Sequence, residues 1–316
     1  MATAQRTYDD PPAYLRWLGK SPMRRREALT FYVMILPWVI GFIVFIAYPM
    51  IRSFYLAFTR YNLRSDPQWV GLDNFVRMFT EDDLFWQSFK VTTLYVLGSV
   101  PAGTLFALAV AMILAQSLRG VNFWRTIYFL PTMVSGVAVA VMWSYLLNPQ
   151  YGLVNQLLAM VGIQGPGWVG SQTWALPSLI LMSWWSIGGQ MVIYLAGLKG
   201  IPQSLYEAAE IDGAGEWAKF RHVTVPMLTP TIFFNLVLGL IGAFQVFEGP
   251  LVLTSGGPNN ATLTYVLNLY NQAFRFIHFG YASAMAWFLF AVIMALTLLV
   301  IRSSALWVYY ETEGRE

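Results

Sequence analysis

IPQSLYEAAEIDGAGEWAKFRHVTVPMLTP, residues 201–230, is a charged interlude between two long apolar stretches. Its local chemistry is readable residue by residue. Pro202 blocks helix propagation from the apolar run before it, because proline lacks the N–H and crowds the preceding turn. Ser204 followed by Glu207 has the spacing of a capping box, in which the hydroxyl accepts from a first-turn amide and the carboxylate reaches back. The spacing predicts a short helix over 205–211, and Gly213 stands where a left-handed residue would end it. A second short helix is predicted at about 215–222, before Pro226 and Pro230 lead into the next apolar run. The result is a compact helix-turn-helix outside any membrane. Ala208 and Ala209 leave one of its faces nearly flush with the backbone, so a partner can approach closely.

The rest of the chain reads as lipid-embedded. Of 316 residues, 57% are hydrophobic and only 11% are charged, against about 25% charged in an ordinary soluble domain. With no cysteine, disulfides and thiolate metal sites are excluded. His222 and His278 alone leave little for a histidine metal site. Residues 1–28 are polar, carry Arg24, Arg25 and Arg26, and lack the short apolar region and small-residue cleavage site of a signal peptide. They are expected to form a cytoplasmic tail.

A bilayer core takes roughly 20 apolar residues of helix. Six spans are expected, at about 29–51, 91–115, 126–147, 175–198, 230–253 and 281–301. The fold class is therefore an all-α membrane protein, with a six-helix domain over 29–303 and a cytoplasmic C-terminal tail, 304–316. Lys and Arg accumulate in cytoplasmic loops. With both termini inside, Arg6, Arg16, Lys20, Arg24, Arg25, Arg26, Arg119, Arg125, Lys199, Lys219, Arg221, Arg302 and Arg315 are cytoplasmic, 13 of the 19 basic residues. Arg52, Arg60, Arg64, Arg77, Lys90 and Arg275 are then outside. The outer loop at 148–174 has no Lys or Arg, and 201–230 falls on the cytoplasmic side. The outer loops near 53–90 and 254–280 are long enough to pack as short helices.

The stretch 201–230 strongly resembles the EAA loop of binding-protein-dependent ABC importers. Glu207, Ala208, Ala209, Asp212, Gly213, Ala214, Phe220, Pro226, Leu228 and Pro230 all match that pattern, and Ser204 belongs to the same helix. YPMIRSFYLAFTRYN (48–62), VGLDNFVRMF (70–79), FWRTIYFLPTMVSGVAVAVMW (123–143), NPQYGLVN (148–155) and LTSGGPNNAT (253–262) are similar to the first-permease type of the carbohydrate-uptake subfamily. The resemblance implies a non-catalytic permease in a bacterial inner membrane. Its implied partners are a second EAA-type permease, two ATPase subunits and an extracytoplasmic sugar-binding protein, with no nucleic acid. The chain has no GxxxxGK[ST] phosphate loop, so no cofactor is expected on it, and ATP and Mg would be bound by the partner ATPase. In this family the loop seats in a cleft of the ATPase, and ATPase closure moves both loops.

Polar residues inside spans are costly and by default suggest function. Glu248 is the one acid near a span, in GAFQVFEGPLVL (242–253), with Gln245 able to share its helix face. Gly249 and Pro250 are expected to unwind the helix after it. Span four carries SWWSIGGQ (183–190), where Trp184, Trp185, Ser186 and Gln190 combine aromatic faces with polar groups, as sugar sites do. Gly188 and Gly189 thin that wall. Alignment on the EAA loop places Trp185, Ser186 and Gly189 at sugar-contact positions of maltose-type permeases. It also places Gly242, Ala243 and Val246 where those permeases have polar or aromatic side chains. The expected pathway residues are Trp185, Ser186, Gly189, Gln245 and Glu248. Basic residues touch spans only at their edges, which favours a neutral oligosaccharide over glycerol-phosphate or an acidic sugar. The outer loops, with Asp66, Asp73, Glu81, Asp82, Asp83 and the SGGPNN stretch, are candidates to receive the binding protein. Two other classes compete. A secondary transporter predicts inverted repeats and midplane ionisable residues, and a membrane enzyme predicts a His, Asp or Cys constellation near one interface.

Overall fold

The computed structural model describes residues 22–116 and 119–309. Residues 1–21 of the expected N-terminal tail and 310–316 of the expected C-terminal tail lie outside the described residues. The chain divides into two units, residues 1–55 and 56–316. The first holds α1 (Pro22–Phe42), a π-helical turn (Ile43–Ala47) and most of α2 (Tyr48–Ala57). Pro49 explains the π turn: a proline has no N–H to give and its ring crowds the carbonyl four residues back, and a widened turn relieves both. Arg26–Ala57 is long and apolar enough to cross a bilayer.

The second unit opens with a two-residue hairpin, β1 (Thr59–Arg60) and β2 (Gln68–Trp69), paired antiparallel with Thr59 opposite Trp69. It is the one departure from an all-α chain among the described residues. Asn74, in α3 (Asp73–Thr80), donates to the carbonyls of Ala57 at 2.8 Å and Thr59 at 2.9 Å and pins the hairpin to the end of α2. α4 (Asp83–Ala115) starts under the Asp82 side chain, which accepts from the Leu84 and Phe85 amides and from the Tyr281 hydroxyl at 2.5 Å. That cap accounts for a helix longer than the expected 91–115.

The third expected span is not straight. α5 (Val121–Phe129) runs into a 3-10 turn (Leu130–Met133), and α6 (Gly136–Leu146) leaves it at 103°. Pro131 removes a donor, Val134 is extended, and Ser135 restarts the helix by accepting from the Ala138 amide at 3.3 Å. After α7 (Leu153–Met160), the fourth span is also divided, into α8 (Ala175–Trp184) and α9 (Gly188–Gly200), bent by 42°. Gly188 permits the bend. A Cβ there would press on the Tyr128 carbonyl oxygen and stand 2.8 Å from Phe129 Cα and 2.9 Å from Thr132 Cγ2.

α10 (Gln203–Ile211) and α11 (Glu216–Lys219) form the two-helix loop. α11 does not stop before the membrane as expected. It continues through a π turn (Phe220–Thr224), again just ahead of a proline, Pro226, into α12 (Val225–Phe244). The fifth span then breaks at 245–247, and α13 (Glu248–Leu253) follows. α14 (Tyr265–Tyr270), a π turn (Asn271–Arg275) and α15 (Phe279–Ser304) complete the chain. Among the described residues four helices are long and apolar enough to cross a membrane, and up to six spans result if each bent pair is one. α4 is the centre of the second unit, with α8, α9 and α12 packed on it. One end of α4 meets α14 and α15 in a core around Phe85, Tyr265, Tyr281 and Met285, and the other meets α9 and α12 around Ala111, Met191, Tyr194 and Leu228.

Candidate functional site

The two-helix loop is built differently from its expected cap. α10 begins at Gln203 with Pro202 in the cap position and no side-chain cap, so the expected Ser204–Glu207 box does not form. With Pro202 setting the start, Ser204 already lies inside the first turn and its hydroxyl cannot cap it. The other end closes as the sequence predicts. Gly213 is left-handed, φ +78°. Its amide donates to the Glu210 carbonyl at 3.0 Å and the Ala214 amide to the Ala209 carbonyl at 2.9 Å, a glycine C-cap that satisfies the last carbonyls. Lys219 ties the two helices, its Nζ 2.8 Å from Glu210 Oε1 and 2.6 Å from Glu216 Oε1. Tyr206 and Thr224 share a 2.9 Å hydroxyl contact that fastens α10 to the π turn.

This loop displays an exposed surface containing Ser204, Glu207, Ala208, Asp212 and Gly213, while Ala209, Ala214, Phe220 and Pro226 are half-buried. Two residues absent from the expected set stand out on it: Ile211 is 88% exposed and Trp217 70%.

The second feature is a cavity where three helix breaks meet. One pocket of about 610 Å³ is lined by Pro131, Thr132 and Gly136 from the α5–α6 bend, Ser183 and Ser186 from the α8–α9 bend, and Gln245, Val246, Phe247 and Glu248 from the α12–α13 break. A second of about 590 Å³ shares Tyr95, Ser183, Ser186 and Val246 and adds Ser99, Gly189, Gln190 and Asn235. Irregular backbone at membrane depth is tolerated where it lines a cavity, and here every break does. Ser186, Gln245 and Glu248 line the first pocket and Ser186 and Gly189 the second. Trp185 lines neither. It stands edge-on to Trp143, ring centres 6.1 Å apart, at the end of α8.

The unwinding expected after Glu248 lies before it. Pro250 sits in the first turn of α13, where a missing N–H is harmless, so it starts the new helix and does not end the old one. Gln245 and Glu248 thus belong to different elements yet face one cavity. The Glu248 carboxylate lies against Gly136. Among the described residues it has no hydrogen-bond or salt-bridge partner, and it is the one charged group lining either pocket. Sequence reasoning missed Tyr95, Ser99 and Asn235. Asn235 is 1% exposed, donates to the Thr231 carbonyl at 3.2 Å and leaves its Oδ1 unpartnered, as Ser99 leaves its Oγ. On the outer-loop side, Asp82 is already engaged by α4 and Tyr281. His278 Nδ1 lies 3.0 Å from Gln272 Oε1, and burial, with Arg77 beyond it, holds its pKa below the usual range.

A polytopic chain whose helix breaks line open pockets carrying hydroxyls and amides, with a two-helix platform outside the spans, has the build of a transport subunit. Residues 99–310 match the family described as binding-protein-dependent transport system inner membrane component. The chain belongs to this family: it is a permease subunit of a binding-protein-dependent ABC importer, a multi-pass membrane protein. The probable ABC transporter permease protein YesP of Bacillus subtilis (strain 168) is 45% identical over 300 residues, 94% of this chain and 97% of the relative. The trehalose/maltose transport system permease protein MalF of Thermococcus litoralis is 33% identical over 284 residues, 89% of this chain and 96% of the relative. A solved bacterial ABC transporter involved in the import of the acidic polysaccharide alginate has a chain of the same fold, with TM-score 0.79 and 27% identity over 89% of this chain and 96% of that one.

Proposed function

We propose that this permease forms half of the pathway for a sugar, a neutral oligosaccharide, and couples its passage to ATP hydrolysis on separate subunits. The observation that carries the reading is the cavity lining. Tyr95, Ser99, Ser183, Ser186, Gln190, Asn235 and Gln245 offer hydroxyls and amides, Tyr95 and Phe247 offer rings, and no Lys or Arg lines either pocket. Sugars are bound by such mixtures of rings and hydrogen-bonding groups. The trehalose/maltose relative supports the same class. A second permease completes the pathway, an extracytoplasmic sugar-binding protein delivers cargo at the outer loops, and two ATPase subunits hold ATP and Mg. Glu207, Ala208, Asp212 and Gly213 dock on the ATPase from the cytoplasm, and both termini lie on that side.

The alginate transporter favours a second reading, an acidic sugar whose charge is met by basic residues of the other permease. The test is uptake by the reconstituted importer with its binding protein, using neutral and uronate oligosaccharides. Cysteines at 186, 245 and 248 are expected to react with a membrane-impermeant thiol reagent in the ATP-trapped complex. Uptake confined to the acidic series refutes the neutral cargo, and three unreactive cysteines refute the pathway.

A further inference from the structure

We propose that α7, in the loop between the third and fourth spans, lies on the lipid of the extracytoplasmic leaflet and anchors that loop to the bilayer surface. Residues 148–174 contain no Asp, Glu, Lys or Arg. Within them, Leu153, Leu157 and Met160 follow at i, i+4 and i+7, a single helical stripe, continued by Val161 and Ile163. All five are exposed, Met160 by 80% and Val161 by 71%. The opposite arrangement, apolar face inward, is closed to this helix because its inward side is already occupied. Val154 packs with Trp143 and Leu147. Asn155 donates to the carbonyls of Pro149 at 3.1 Å and Pro166 at 3.3 Å and accepts from Trp168 Nε1 at 2.6 Å. Gly162, left-handed at φ +78°, ends the helix, with the Ile163 amide on the Leu158 carbonyl at 2.9 Å. The stripe is therefore held outward by a fixed loop.

What covers it follows from continuity and charge. α7 is joined by short turns to the end of α6, where Tyr145 is exposed, and its loop returns to the start of α8, where Trp174 is exposed. Exposed Tyr and Trp at span ends mark the membrane–water interface, so the stripe continues an apolar surface already in lipid. Charged groups give a protein partner its orientation and specificity, and this loop offers no charge at all. An apolar stripe at interfacial depth fits the boundary between headgroups and acyl chains. The contact is predicted to be independent of salt.

The absence of native cysteine makes the test direct. Leu157→Cys, Met160→Cys and, on the opposite side of the helix, Ala159→Cys are each labelled with a nitroxide. The assembled importer is studied in discs of phosphatidylethanolamine and phosphatidylglycerol. At 157 and 160, collision with oxygen relative to a water-soluble nickel complex is expected to exceed that at 159 several-fold, in low and high salt alike. Nickel accessibility at 157 and 160 equal to that at 159 would place the stripe in water and overturn the proposal. Shielding from both reagents would overturn it in favour of a protein cover, the partner permease or the binding protein. Neither result bears on the sugar pathway, which has its own thiol assay.

Discussion

Gly213 allows the proposed coupling role of the two-helix loop to be measured. It is left-handed, and a Cβ added there would meet nothing within 4 Å. Any effect of substitution is thus conformational and not steric. An L-residue forced into that region costs about 1–2 kcal/mol, most for a β-branched side chain, whereas Asn enters it readily. One to two kcal/mol corresponds to roughly a five- to thirty-fold change in population. The turn orients α10 against α11, with the Lys219–Glu210 pair and the Tyr206–Thr224 contact as the further links. The penalty should therefore appear in docking. The assay is substrate-stimulated ATP hydrolysis by the reconstituted importer as ATPase subunit is titrated in. Gly213→Val is expected to raise the half-saturating ATPase concentration by about five- to thirty-fold, Gly213→Ala by less, and Gly213→Asn to stay near the parent. Val indistinguishable from Gly refutes the requirement for this turn. Asn as damaging as Val refutes the conformational argument, because a smaller residue and not a left-handed one would then be what the site needs.

Adjacent glycines give a second contrast. Gly188→Ala, pressed on the α5 end, should lose about 1–3 kcal/mol, seen as a lower melting temperature of the purified complex. Gly189→Ala, with open space at its Cβ, should melt like the parent, and equal melting of the two variants contradicts the packing at the bend. Glu248→Gln should keep most uptake of a neutral sugar, since an amide still hydrogen-bonds, and abolished uptake would show that the charge itself is used. Reporter fusions after about residue 120 and within 205–220 should report the cytoplasm, and fusions near 160 and 265 the outside. A cytoplasmic report at 160 would overturn the six-span topology.

How much of this could be read from residues depends on whether the controlling physics is local. Apolar run length announced the spans, because lipid demands it. Gly213 announced its turn, because few residues accept its φ. The loop's start was misread because two local signals competed: Pro202 sets the first turn, and Ser204 only looks like a cap. Gly249-Pro250 likewise looks like the end of a helix, yet proline is equally suited to a first turn, and the three-residue break ahead of it has no sequence mark. The bend at 185–187 has no proline either and depends on Gly188 meeting the backbone of another span. Ser99, Tyr95 and Asn235 come together from two spans distant in the chain, so no local pattern marks them as a set. Trp185, an aromatic of the same chemistry, stands at the bend edge-on to Trp143 and outside both pocket linings.

The uninterrupted course from Glu216 through the π turn to Phe244 has a mechanical meaning. At about 1.5 Å per residue it is a rod of roughly 40 Å, fixed at one end to the exposed loop and ending at the break beside the cavity. A tilt of only about 5° at the loop would carry the far end through roughly 3.5 Å, about the width of a sugar hydroxyl and its hydrogen bond. Gln245–Phe247 separates this rod from α13, which is packed on α6. One continuous element therefore joins the exposed loop to one of the three breaks that line the cavity.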